Sequence, residues 1–121
     1  MKTLAEKLGE SSFTIATSSH ENGSPHIEVD GAYHFIVRER GLEISRKQTD
    51  DLDELLYWIF EGLTARMSWD FELQHRRPFE DSRRQAFTKQ LELLASLSSE
   101  WAVRQRLEQE DILRLHPFRD G

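Results

Sequence analysis

The stretch Phe71 to Phe87, FELQHRRPFEDSRRQAF, sets two double arginines, Arg76-Arg77 and Arg83-Arg84, on either side of Pro78. Guanidinium forks bind phosphates, a partner's carboxylates, or carboxylates of their own chain. The chain as a whole carries a net charge of −6, with 22 acidic against 16 basic residues. That balance argues against general nucleic-acid binding, whose affinity rests on phosphate contacts. The two arginine pairs lie seven residues apart, which would align them on one helix, but Pro78 interrupts that helix. Glu80 precedes Arg84 by four residues, and Asp81 lies between the pairs. The preferred reading is therefore an internal ion-pair network in which Arg83 or Arg84 holds a carboxylate and fixes the turn. The alternative is a nucleic-acid or anion-binding module built on Arg76, Arg77, Arg83 and Arg84.

Asp50, Asp51, Asp53 and Glu54 form the opposite cluster. The start of a helix accounts for one or two of these carboxylates, because the helix dipole favours anions there by only ~0.3–1 kcal/mol each. The surplus makes them the candidate surface for a basic partner. A third grouping is His26, Glu28 and Asp30, which alternate along a short apolar-polar run and stand near His20 and His34 in sequence. Neither a zinc-type His pair nor a calcium loop is present, so the expected reading is a solvated strand face with no metal. A small hydrolase using His26, Glu28 and His34 is the competing idea.

Other catalytic chemistry finds little footing. The chain has no cysteine, no G-x-S-x-G elbow, and six glycines that never cluster into a phosphate-cradling loop. No catalytic residue and no cofactor are expected. Trp58, Trp69 and Trp101 lie among aliphatic stripes, which favours core or core edge over a ligand-stacking platform.

These residues need elements to hold them. At 121 residues, with 37% hydrophobic composition, the chain suits one domain, residues 1–121, with a sizeable core. Leu4 and Leu8 allow a short helix over 1–11, and Phe13 to Thr17 allows a short strand. Residues 18–25, SSHENGSP, read as a loop with Asn22-Gly23 as a turn dipeptide. His26 to Val29 reads as a strand. The clearest local signal is a hairpin over 32–47: Tyr33, Phe35 and Val37 share one face, Leu42 and Ile44 alternate in the return strand, and Gly41 supplies a positive φ.

Helices follow. Thr49 or Asp50 caps the first, in which Leu52, Leu55, Leu56, Ile59, Phe60, Leu63 and Met67 repeat at helical spacing until about His75. Pro78 forces a break. Ser82 with Gln85 reads as a capping box for the next helix, with Phe87, Leu91 and Leu94 as its apolar stripe. Ser98 or Ser99 caps the last, with Trp101, Leu107, Ile112 and Leu115 inward and Pro117 as its stop. The fold class is α+β: a small antiparallel sheet packed against three C-terminal helices. No stretch approaches a signal peptide or a membrane span, so a cytoplasmic protein with no membrane partner is expected. Monomer and dimer both remain open.

Three segments carry a likeness. GAYHFIVRERGLEISRKQTDDLDELLYWIFEGLT, DFELQHRRPFEDSRRQAFTKQLELLASLSSEW and ILRLHPFRD follow one another in an order that resembles the Imm63 family of bacterial immunity proteins, found beside polymorphic and contact-dependent toxins. The resemblance covers about residues 30–120. Its most specific parts are Glu39-Arg40-Gly41, the acid before two arginines at Asp81-Ser82-Arg83-Arg84, and the tail Pro117-Phe118-x-Asp120. It implies a non-enzymatic antitoxin that binds and blocks a cognate toxin protein, in many cases a nuclease with a basic cleft. The motif residues are expected to hold the fold, leaving the carboxylates at 50–54 as the expected partner surface.

Overall fold

The computed structural model describes Lys7, Leu8 and residues 22–121. Apart from Lys7 and Leu8, the helix read over 1–11 and the strand read over 13–17 lie outside the described residues. The described chain is α+β: a three-stranded antiparallel sheet followed by three helices. It divides into two compact units, Met1–Ile59 and Phe60–Gly121.

The first unit holds β1 (Asn22–Val29), β2 (Tyr33–Glu39) and β3 (Leu42–Thr49), in the order β1-β2-β3. Asn22-Gly23 is not a turn. Strand pairing begins at Asn22 opposite Glu39, and the register shifts before Pro25 reaches Val37. That irregularity absorbs the glycine and proline within the strand. The β2–β3 hairpin turns through Arg40 and Gly41, both left-handed (φ 52° and 80°), the two-residue geometry that matches strand twist. A second register shift at Val37/Arg38 puts Arg38 opposite Glu43.

Tyr33, Phe35 and Val37 are only half-buried, whereas Ile36, on the opposite side of β2, is wholly buried. Both faces of the strand are covered, so alternation alone misassigned the deepest residue. Phe35 meets Trp58 at 6.2 Å, and Lys47, directly opposite Phe35, places its ammonium 5.4 Å from the Trp58 ring. Leu55, Tyr57 and Ile59 are the other buried apolar residues among those described in this unit.

Helix α1 spans Leu52–Gln74, and the boundary between the units falls inside it. Its cap is Asp51 rather than Thr49 or Asp50: Asp51 Oδ1 accepts from Asp53 N at 2.9 Å, and Thr49 Oγ1 accepts from Asp51 N at 3.1 Å. Helices α2 (Ser82–Leu97) and α3 (Ser99–Leu115) belong to the second unit. The cap of α2 is Asp81 and not Ser82, which is already the first helical residue. Gln85 does not reach back to close a capping box; it is buried. Ser98 caps α3 through Trp101 N.

The core of the second unit is unusually polar. Phe60 stacks on Trp101 at 6.0 Å, and Leu63, Ala86 and Leu94 are buried around them. Thr64, Gln90, Gln105 and Gln109 are buried as well, whereas Leu107, Ile112 and Leu115, expected inside, are exposed. Gln90 Nε2 donates to Glu61 O (3.1 Å) and Thr64 Oγ1 (3.3 Å), and Gln109 Nε2 donates to Phe87 O (3.3 Å) and Gln90 Oε1 (3.4 Å). The Thr64 hydroxyl donates to Phe60 O at 2.7 Å. One amide chain therefore links all three helices, and satisfied amides occupy the positions a hydrophobic pattern reserves for leucine.

Candidate functional site

The two motifs 81–84 and 117–120 meet in one cluster. As the cap of α2, Asp81 holds extended backbone, and its Oδ1 accepts from Arg83 N at 3.0 Å. Its other oxygen accepts from Arg83 Nη2 at 3.0 Å and from Arg119 N at 2.8 Å. The Arg83 fork continues to the carbonyls of His116 and Pro117, both at 2.8 Å. Those carbonyls close the C-terminal end of α3, where a cation is favoured. Arg84 grips Asp120 through Nε (2.9 Å) and Nη2 (2.8 Å), and Asp120 Oδ1 accepts from Asp81 N at 2.7 Å. The Phe118 ring lies 4.1 Å from the Arg84 guanidinium and 6.5 Å from Phe87. Gly121 N donates to Phe79 O at 2.9 Å.

This clasp sets the charge states of its members. The Arg83 side chain, then the Arg119 and Arg83 amides, hold the Asp81 carboxyl far below the usual carboxylate range. Arg84, then the Asp81 amide, hold Asp120 below its ordinary value. Arg83 and Arg84 are raised in turn by Asp81 and Asp120. The arginines thus fasten the α1–α2 turn and the start of α2 to the C-terminal tail, rather than joining α1 to α2.

The other pair is also engaged. Arg76 binds Glu72 in a forked contact of 2.7 to 3.2 Å, and Glu72 is buried. The hydrogen bonds from Arg76 lower the Glu72 pKa. Arg77 reaches Glu80 at 3.5 Å, the loosest of the four. Each of the four guanidiniums therefore has a carboxylate of its own chain. A depression of about 310 Å³ beside them carries Arg77, Arg84 and Lys89 together with Glu80 and Glu92, so it presents mixed charge instead of an anion trap.

The acidic cluster has structural duty at the start of α1. Asp50, Asp51 and Asp53 are exposed and Glu54 is half-buried. Asp51 serves as the α1 cap, and Asp50 and Asp53 are the other exposed carboxylates of this cluster.

The His26, Glu28, His34 group does not converge as a metal site. No cluster of His, Asp or Glu able to hold a metal occurs among the described residues. His26 is not on a solvated face; it is buried opposite Ile36 and donates from Nε2 to Glu28 Oε2 at 2.9 Å. The imidazole lowers the Glu28 pKa through that bond. His34 Nδ1 contacts Arg46 Nη1 at 3.1 Å, and Arg46 also grips Glu43 at 2.8 Å. Trp101 is core, Trp58 is half-buried and Trp69 is exposed; Trp101 stacks on Phe60.

This is an α+β protein whose paired arginines are spent on its own carboxylates. The family model Immunity protein 63 (Imm63) matches residues 30–111, and the chain belongs to that family of immunity proteins. The match ends before Pro117-Phe118-x-Asp120, so the tail half of the clasp lies beyond it. No curated protein and no solved structure matches the chain. Immunity proteins are generally non-catalytic and act on a cognate toxin. No helix among the described residues is long and apolar enough to cross a membrane.

Proposed function

We propose that the chain, as one immunity domain, neutralises a cognate bacterial toxin by stoichiometric, non-catalytic binding in the cytoplasm of the producing cell and its siblings. The observation that carries this reading is the family match over residues 30–111. The net charge of −6 and the exposed Asp50 and Asp53 support a toxin with a basic surface, such as a nuclease cleft. Opposite charge speeds the encounter of two proteins more than it deepens their affinity. The anion-binding alternative loses support because Arg76, Arg77, Arg83 and Arg84 all face internal carboxylates. Co-expression with the product of the adjacent upstream gene tests the proposal: a copurifying one-to-one complex and rescue from toxicity are expected. Absence of both sinks it.

A further inference from the structure

We infer that Phe79 is the apolar anchor with which this chain seats its toxin, an assignment that rests on the immunity reading above. Phe79 is 81% exposed, more than any other large hydrophobic residue described. It also holds a left-handed backbone, φ 62°, in the turn between α1 and α2. A bulky side chain is a genuine outlier in that region, where glycine or asparagine is the usual occupant. Folding alone rewards neither feature: the ring covers little, and the backbone would relax with a smaller residue.

The surroundings hold this turn still without covering the ring. On one side, Phe79 O accepts from Gly121 N at 2.9 Å, and Asp81 N donates to Asp120 at 2.7 Å. On the other, Pro78 restricts the backbone, and Arg76 is tied to the buried Glu72. An aromatic ring presented on a fixed backbone loses little freedom on binding, and such residues dominate interface energetics. Arg77 stands two residues away, 64% exposed, and its ion pair among the described residues is the loose 3.5 Å contact to Glu80. The partner surface this fits is a protein pocket that takes a phenyl ring and carries a hydrogen-bond acceptor, best a carboxylate, at its rim.

The test uses the full chain and the toxin domain encoded upstream, with wild type, Phe79→Gly and Phe79→Asn compared by calorimetric titration and thermal melting. Both replacements suit a left-handed backbone, so the variants should melt at or above the wild-type temperature. Toxin affinity should fall about 30-fold or more, the loss typical of an interface hot spot. Variants that bind within about threefold of wild type overturn the assignment while leaving the immunity reading intact. A wild-type chain with no affinity for the toxin overturns both. Sedimentation showing that the ring instead holds two copies together, with toxin affinity unchanged, also overturns it.

Discussion

Gln90 and Gln109 give the sharpest test of how the helices are held together. Gln109→Leu leaves Gln90 Oε1 without its only donor in the chain of amides, inside a buried site. A buried acceptor left without a partner costs roughly 1–3 kcal/mol. Gln90→Leu removes three hydrogen bonds but orphans less: Thr64 still donates to Phe60 O, and Gln109 Nε2 keeps Phe87 O. Its expected cost is about 1–2 kcal/mol, since each lost neutral bond is worth ~1 kcal/mol and leucine recovers part of that by apolar burial. The double variant removes both ends of the Gln90–Gln109 bond and leaves no orphan between them. It should therefore lose about 1 kcal/mol less than the two single losses added together. Urea denaturation of the four proteins, followed by circular dichroism, measures this coupling. Additivity within ~0.5 kcal/mol would refute the idea that the amides act as one network.

The other expectations follow from the clasp and the acidic helix start. Arg83→Ala with Arg84→Ala should lower the melting temperature and weaken toxin binding less than the Phe79 variants do; unchanged melting with lost binding would move these arginines to the interface. Asp81 and Asp120 have folded pKa values below their unfolded ones. Their stabilisation is then fully present above the unfolded carboxylate value, near ~4, and is lost as pH falls through that region toward the folded values. The Asp81→Asn, Asp120→Asn protein should show a shallower acid transition between about pH 5 and 2; an unaltered acid profile would dismiss the clasp as its source. Asp50→Lys with Asp53→Lys, which spares the Asp51 cap, should slow toxin association and weaken its salt dependence in stopped-flow mixing. Association rates equal to wild type would remove this patch from the interface.

Much of the candidate site was legible by residue type, and less of it by position. The paired arginines and the neighbouring acids announced an ion-pair network, but the four-residue pair of Glu80 with Arg84 does not form, because Glu80 precedes the helix and meets Arg77 while Arg84 takes Asp120. The tail that completes the clasp entered the sequence reading only through the family resemblance, and it lies beyond the matched residues 30–111. Asp120 lies 36 residues from Arg84 in sequence, and no periodicity connects them. Phe79 went unnoticed because a phenylalanine after proline reads as an ordinary turn neighbour; its exposure and its positive φ exist only in three dimensions. The capping aspartates Asp51 and Asp81 were each displaced by one or two positions, since serine, threonine and aspartate compete for the cap on nearly equal terms.

From the sequence alone came the elements and the family. The 32–47 hairpin followed from alternation and Gly41, the breaks followed from Pro78 and Pro117, and the long apolar repeat after Leu52 marked the first helix. All of these are local rules, acting within a turn of helix or a few strand residues. Tertiary structure alone decided what each element faces. It buried His26 and Ile36 on the side of the sheet that alternation did not choose, and left Leu107 and Leu115 outside while Gln90 and Gln109 went in. Gln90 and Gln109 sit in the core because distant partners satisfy their amides, and those partners are set by the packing of helices, not by neighbours in the chain.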